Sequence, residues 1–182
     1  MARAKGGLQA ASGGTTPRRA SKNQRRITTI LGAVPPAREQ LFAAVEAVGS
    51  PFSPKALETA ALSADAAQRN NVSAIERNVE KLINYMEELA SRGLDEGQQL
   101  GTVKPAKGHP SERLAALGVI STAVATRLLE ARQTRNELGH AYPPQMWRGL
   151  YAAVNIVLDE LDGYLVSYRE WAVRSGILPP AT

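Results

Sequence analysis

The chain has 182 residues, 43% of them hydrophobic but only 5% aromatic, with no cysteine and two histidines. That length supports one domain with a real core plus appendages, and the missing thiols exclude a disulfide framework, a thiolate nucleophile and a cysteine-based zinc site. The formal charge of +5 is uneven: residues 1–26 hold Arg3, Lys5, Arg18, Arg19, Lys22, Arg25 and Arg26 with no acid, leaving 15 basic against 17 acidic residues, a balance of −2, in the rest.

Alanine and leucine are prominent and β-branched runs are scarce, which predicts an all-α fold. No apolar run approaches the roughly 20 residues of a membrane span, and no apolar leader opens the chain, so a cytoplasmic protein without membrane contact is expected. With no thiol and so few histidines, neither a cofactor nor a metal is expected.

Residues 1–26 are rich in Gly, Ala, Ser, Thr and Arg without apolar periodicity, and are predicted to be a disordered basic tail. Such a tail is either an electrostatic arm for nucleic-acid phosphates or a solubilising leader. Residues 27–62 are predicted to be a small helical embellishment. Pro35-Pro36 opens a short helix with Leu41, Val45 and Val48 on its face, closed by Gly49-Ser50-Pro51. Ser53-Pro54 then caps a second short helix bearing Leu57, Ala60 and Ala61.

The body of the protein, residues 63–175, is predicted to be an antiparallel helical bundle of about four main helices. Its first helix, capped by Ser63 or Asp65, carries Val72, Ile75, Val79, Leu82, Met86 and Leu89 at spacings of three and four, one continuous stripe. Glu76, Arg77, Glu80, Lys81, Glu87 and Glu88 read as its solvated faces, and Ser91-Arg92-Gly93 as its stop. Residues 93–110 read as a long loop, with His109 a solvated surface residue.

Ser111 is the predicted cap of a helix whose stripe runs through Leu114, Leu117, Ser121, Val124, Leu128, Ala131, Arg135 and Leu138. Arg135 thus falls on the packed face. An arginine there is costly unless paired or set in a cleft; snorkelling at the helix end is the plainer alternative. Gly139 and Pro143-Pro144 break the helix. In an unbroken helix, five residues would turn His140 about 140° away from Arg135, so the break lets the two converge. The last helix, from Pro144 or Gln145 to about residue 173, places Trp147, Leu150, Val154, Val157, Leu161, Tyr164, Tyr168 and Trp171 on one seam, a core or dimer face. Residues 176–182 form a C-terminal tail.

Arg135-Asn136, three residues, His140, one residue and Tyr142, at the junction of two long helices, resembles the HEPN superfamily (higher eukaryotes and prokaryotes nucleotide-binding). Within it, the stretch is most similar to the HepT-like toxins of MNT/HEPN toxin–antitoxin systems. The resemblance covers roughly residues 65–175, and Pro143-Pro144 directly after Tyr142 departs from the family's pattern. It implies a homodimer whose two motifs face one cleft, and a metal-independent endoribonuclease with Arg135 and His140 catalytic and Asn136 supporting. It also implies a nucleotidyltransferase (MNT-like) antitoxin that modifies Tyr142 with AMP.

The residue types suit that chemistry. Histidine serves as base or acid near neutrality, and arginine offers a permanent cationic fork to a phosphate gaining charge. For Asn136 the alternative is a plain polar residue at a helix end; for Tyr142 it is a buried aromatic under the Pro-Pro turn. Two other functions fit the same residues: a catalytically inactive HEPN-like nucleotide-binding or interaction module, and a nucleic-acid-binding protein acting through its basic tail.

Overall fold

The computed structural model describes residues 20–138 and 143–180, and the side chains of these except 135, 137, 138, 143 and 144. They form helices α1 (Lys22–Val48), α2 (Pro54–Ala61), α3 (Ala66–Gln99), α4 (Pro110–Ala116), α5 (Thr122–Leu138) and α6 (Pro143–Arg174), with no strand among the described residues. The fold is an all-α helical bundle, and α3 is its spine, packed against each of the other helices. All six stripe residues expected on α3 are buried, as are the eight on α6, so the aromatic seam of α6 is core.

Directions follow from side-chain pairs. Ser21, the cap of α1, donates to Glu96 near the far end of α3 (2.7 Å), and Gln68 at the start of α3 donates to the Ala47 carbonyl (3.4 Å), so α1 and α3 are antiparallel. Tyr164 donates to the Met86 carbonyl (2.7 Å), and Tyr168 and Trp171 lie against Gly93. Rising residue numbers therefore keep α6 parallel to α3.

Helix α1 corrects the predicted boundary at residue 26 and the predicted start at Pro35. Ser21 and Gln24 form a reciprocal capping box, so Lys22–Arg26 are the opening turns of a helix. Ile27, Ile30, Leu31 and Val34 continue it as a buried face, making α1 a main member of the bundle. Pro35 and Pro36 lie within the helix. Both face solvent, where water replaces the missing backbone donors, while Val34 and Ala37 on either side stay buried against the core.

Three further boundaries move. The predicted helix from Ser111 to Leu138 is two helices: Gly118, at φ +69°, closes α4, with the Gly118 and Val119 amides donating to the Ala115 and Leu114 carbonyls. Leu117 is accordingly 45% exposed. At the C-terminus, Ile177 is fully buried after its amide turns back to the Ala172 carbonyl, so the core extends past residue 175.

Gly93 does not stop α3, which continues to Gln99. It is instead the point of closest approach to α6. A Cβ there would lie 2.6 Å from the Tyr168 hydroxyl and 2.8 Å from the Trp171 ring. Gly93→Ala should therefore cost about 1–3 kcal/mol of unfolding free energy in urea titrations despite alanine's better helix propensity. An unchanged or raised midpoint would show that α6 can yield at this contact.

Candidate functional site

Helices α5 and α6 pack as a hairpin joined by residues 139–142. Its open end is fastened by Arg127, which pairs with Glu160 and with Asp159 (2.8 Å). One turn and a half further along α5, Arg132 sends its Nε to within 3.1 Å of Glu87 Oε1 on α3. His109 Nε2 approaches the same oxygen at 3.5 Å. Neither contact has hydrogen-bond alignment, since that Glu87 oxygen has no hydrogen-bond partner, and only the Arg132 contact is a charge pair while the imidazole is neutral. One α3 carboxylate thus meets α4 and α5 together.

This cluster corrects two sequence expectations. Glu87 and Glu88 are half-buried rather than solvated; Glu88 takes a two-pronged pair from Arg26 (2.7 and 2.8 Å), which, as the largest influence, holds its carboxyl below the usual range. His109, and not Ser111, caps α4: its Nδ1 accepts from the Ser111 amide (3.4 Å), and its own amide donates to Glu112 Oε2 (2.9 Å). With Nδ1 accepting, the neutral ring carries its proton on Nε2, toward Glu87. Burial first, then the Arg132 charge, push the His109 pKa down, against the opposing pull of Glu87 and Glu112. With Nδ1 used as the cap acceptor and Nε2 half-buried against Glu87, His109 braces the fold and is poorly placed to move a substrate proton.

Beyond this brace lie the residues singled out from sequence. Arg135 and Asn136 lie in the final described turn of α5 (Thr122–Leu138), and the expected break at Gly139 lies outside the described residues. Asn136 is exposed, and stands one turn on from Arg132 on the same helix face. His140 and Tyr142 lie outside the described residues, as does the Arg135 side chain. The described chain therefore supplies the helix ends that flank the motif. Among the described residues no three His, Asp or Glu side chains come together as a metal site would need, and no helix is long and apolar enough to cross a membrane.

Sequence reasoning missed Glu87, His109 and Arg132 as a unit. The available signal was the string His109-Pro110-Ser111-Glu112, which has a cap acceptor, proline at the first helical position and glutamate at the third. The chain matches no family model, and no curated protein or solved structure matches it.

The brace has a pH signature. Because the folded-state pKa of His109 is depressed, its contribution is complete above the unfolded value near 6.5 and is lost as pH falls through the folded value. The melting temperature should therefore fall more steeply as pH drops below about 6.5 in the native chain than in His109→Asn, which keeps a cap acceptor. Parallel profiles for the two proteins would remove His109 from this role.

Proposed function

We propose that the chain is a metal-independent endoribonuclease of the HEPN type, acting in the cytoplasm as a homodimer in which the two motifs face one cleft. One observation carries the reading: Arg135-Asn136 end α5, His140 and Tyr142 fall in the four residues that follow, and α6 begins at Pro143. The motif thus spans the connection between two helices that pack on each other, the position the resemblance requires. The composition of that stretch supports phosphate binding, because residues 132–148 contain Arg132, Arg135 and Arg148 against the single acid Glu137.

The reaction needs no outside nucleophile. The ribose 2′-oxygen attacks the neighbouring phosphorus as a base removes its proton, and the 5′-oxygen leaves as an acid protonates it, giving a 2′,3′-cyclic phosphate and a 5′-hydroxyl. His140 of one protomer serves as base and its counterpart in the other protomer as acid. Arg135 stabilises the charge that builds on the non-bridging oxygens, and Asn136 orients His140 or a phosphate oxygen. A single chain offers one such histidine, so two-fold pairing is part of the mechanism.

Tyr142 is the proposed point of control. AMP on its hydroxyl, added by a nucleotidyltransferase antitoxin, brings negative charge and bulk into a cleft suited to phosphate. The protein is then a toxin or defence effector held silent by its partner.

Purified wild-type protein should cleave tRNA or total RNA in EDTA and leave cyclic-phosphate ends. His140→Ala and Arg135→Ala should each lower the rate by ~100-fold or more with the dimer intact by sedimentation. Full activity in both variants would refute the assignment. If ATP and a cognate nucleotidyltransferase silence the wild type, Tyr142→Phe should stay active under the same treatment; silencing of that variant would move the modification elsewhere.

A further inference from the structure

Helix α4 and the 100–109 connection before it enclose a cleft of about 570 Å³ that the ribonuclease reading does not use. Its size falls within the roughly 300–1,000 Å³ of small-molecule sites. Leu94, Val103, Ala116 and Leu117 make it apolar. Leu94 and Val103 belong to the core, with the Val103 amide tied back to the Gly97 carbonyl (3.1 Å), so this wall is rigid.

The charged residues of the cleft are unbalanced. Lys104 and Lys107 are exposed along it, and Arg113 lines it from α4. The one acid, Glu112, already accepts the His109 amide through Oε2. Arg113 is the anomaly, for its Nε and Nη2 are shielded from solvent and have no hydrogen-bond partner. Those nitrogens share one edge of the guanidinium, and a small side-chain shift that uncovers them toward the cleft presents the fork that a carboxylate meets with two parallel hydrogen bonds. A desolvated cationic fork without a partner is costly and is resolved by an anion.

We propose that this cleft binds a small carboxylate with an apolar body, the carboxylate paired with the Arg113 fork and the apolar part laid along Leu94, Val103 and Leu117. An apolar lining with a single fork favours one compact charge on a hydrocarbon chain, and the two lysines steer it by sign. The site is separate from the α5–α6 tip, so it stands or falls independently of ribonuclease activity.

Calorimetry on the full chain with decanoate below its aggregation concentration tests this. Wild type should show saturable one-to-one binding; decyltrimethylammonium, with the same chain and opposite charge, and acetate, with the same head and no chain, should show none. Arg113→Met should weaken decanoate binding by about tenfold or more, the loss of a charge-assisted pair. Leu117→Asp, at an exposed position that tolerates change, should weaken it too by placing an acid at the mouth. Absence of saturable binding to wild type, equal binding of the ammonium probe, or unchanged affinity in both variants would overturn the proposal. Decyl phosphate binding tenfold tighter than decanoate would overturn the carboxylate assignment.

Discussion

The carboxylates of α3 are the constraint on which the arrangement of the other helices depends. A helix of 34 residues, on the order of 50 Å long, cannot be covered on several sides without drawing some of its polar residues inward. Glu87, Glu88 and Glu96 are those residues, and each meets a different neighbour: Arg132 with His109, Arg26, and Ser21. Such pairs add little net stability, since half-exposed ion pairs are worth about 0–1 kcal/mol. Their effect is selective. A carboxylate drawn inward without its partner is costly, so a slip of α1 or α5 along α3 is penalised far more than correct docking is rewarded.

That selectivity bears on the hairpin tip. Helix α5 is anchored to α6 by Arg127 and to α3 by Arg132, and Arg135-Asn136 follow within one turn of the second anchor. The burial of Ala125, Leu128 and Ala131 sets how α5 docks, and Glu87, far away in sequence, adds a contact one turn before Asn136. His109 shares that carboxylate and also caps α4, so the start of α4 and the second half of α5 meet α3 at one oxygen atom.

How much of this was legible in the sequence varied with the kind of signal. The stripes of α3 and α6 were plain because aliphatic and aromatic residues recur by threes and fours, and the structure buries every one. Helix α1 was obscured by two local features, a run of charged residues before Ile27 and the pair Pro35-Pro36, both of which argue against helix until the buried face between them is weighed. Gly93 was read as a stop because its real partners, Tyr168 and Trp171, are far along the chain. The Arg135–Tyr142 stretch drew notice through its residue types, their spacing and its place between two long helical patterns. Glu87, His109 and Arg132 did not, because their relation exists only after three helices are packed; the unpartnered, shielded fork of Arg113 is likewise a property of its surroundings.

The separation of α1 from its partner has a consequence during synthesis. Ser21 and Glu96 lie 75 residues apart, so at translation speeds of about 5–20 residues per second α1 waits on the order of 4–15 s for the far end of α3 to be made. The antiparallel docking covers the Leu41 end first, so Ile27, Ile30, Leu31 and Val34 wait longest for their cover, which is the condition under which nascent chains adhere to one another as strands. Pro35 and Pro36 follow directly on that run, where they deny a cross-chain sheet two donors in succession. The same pair that weakens the helix ladder is therefore a gatekeeper for the unfinished chain, tolerated in the folded bundle because it faces water.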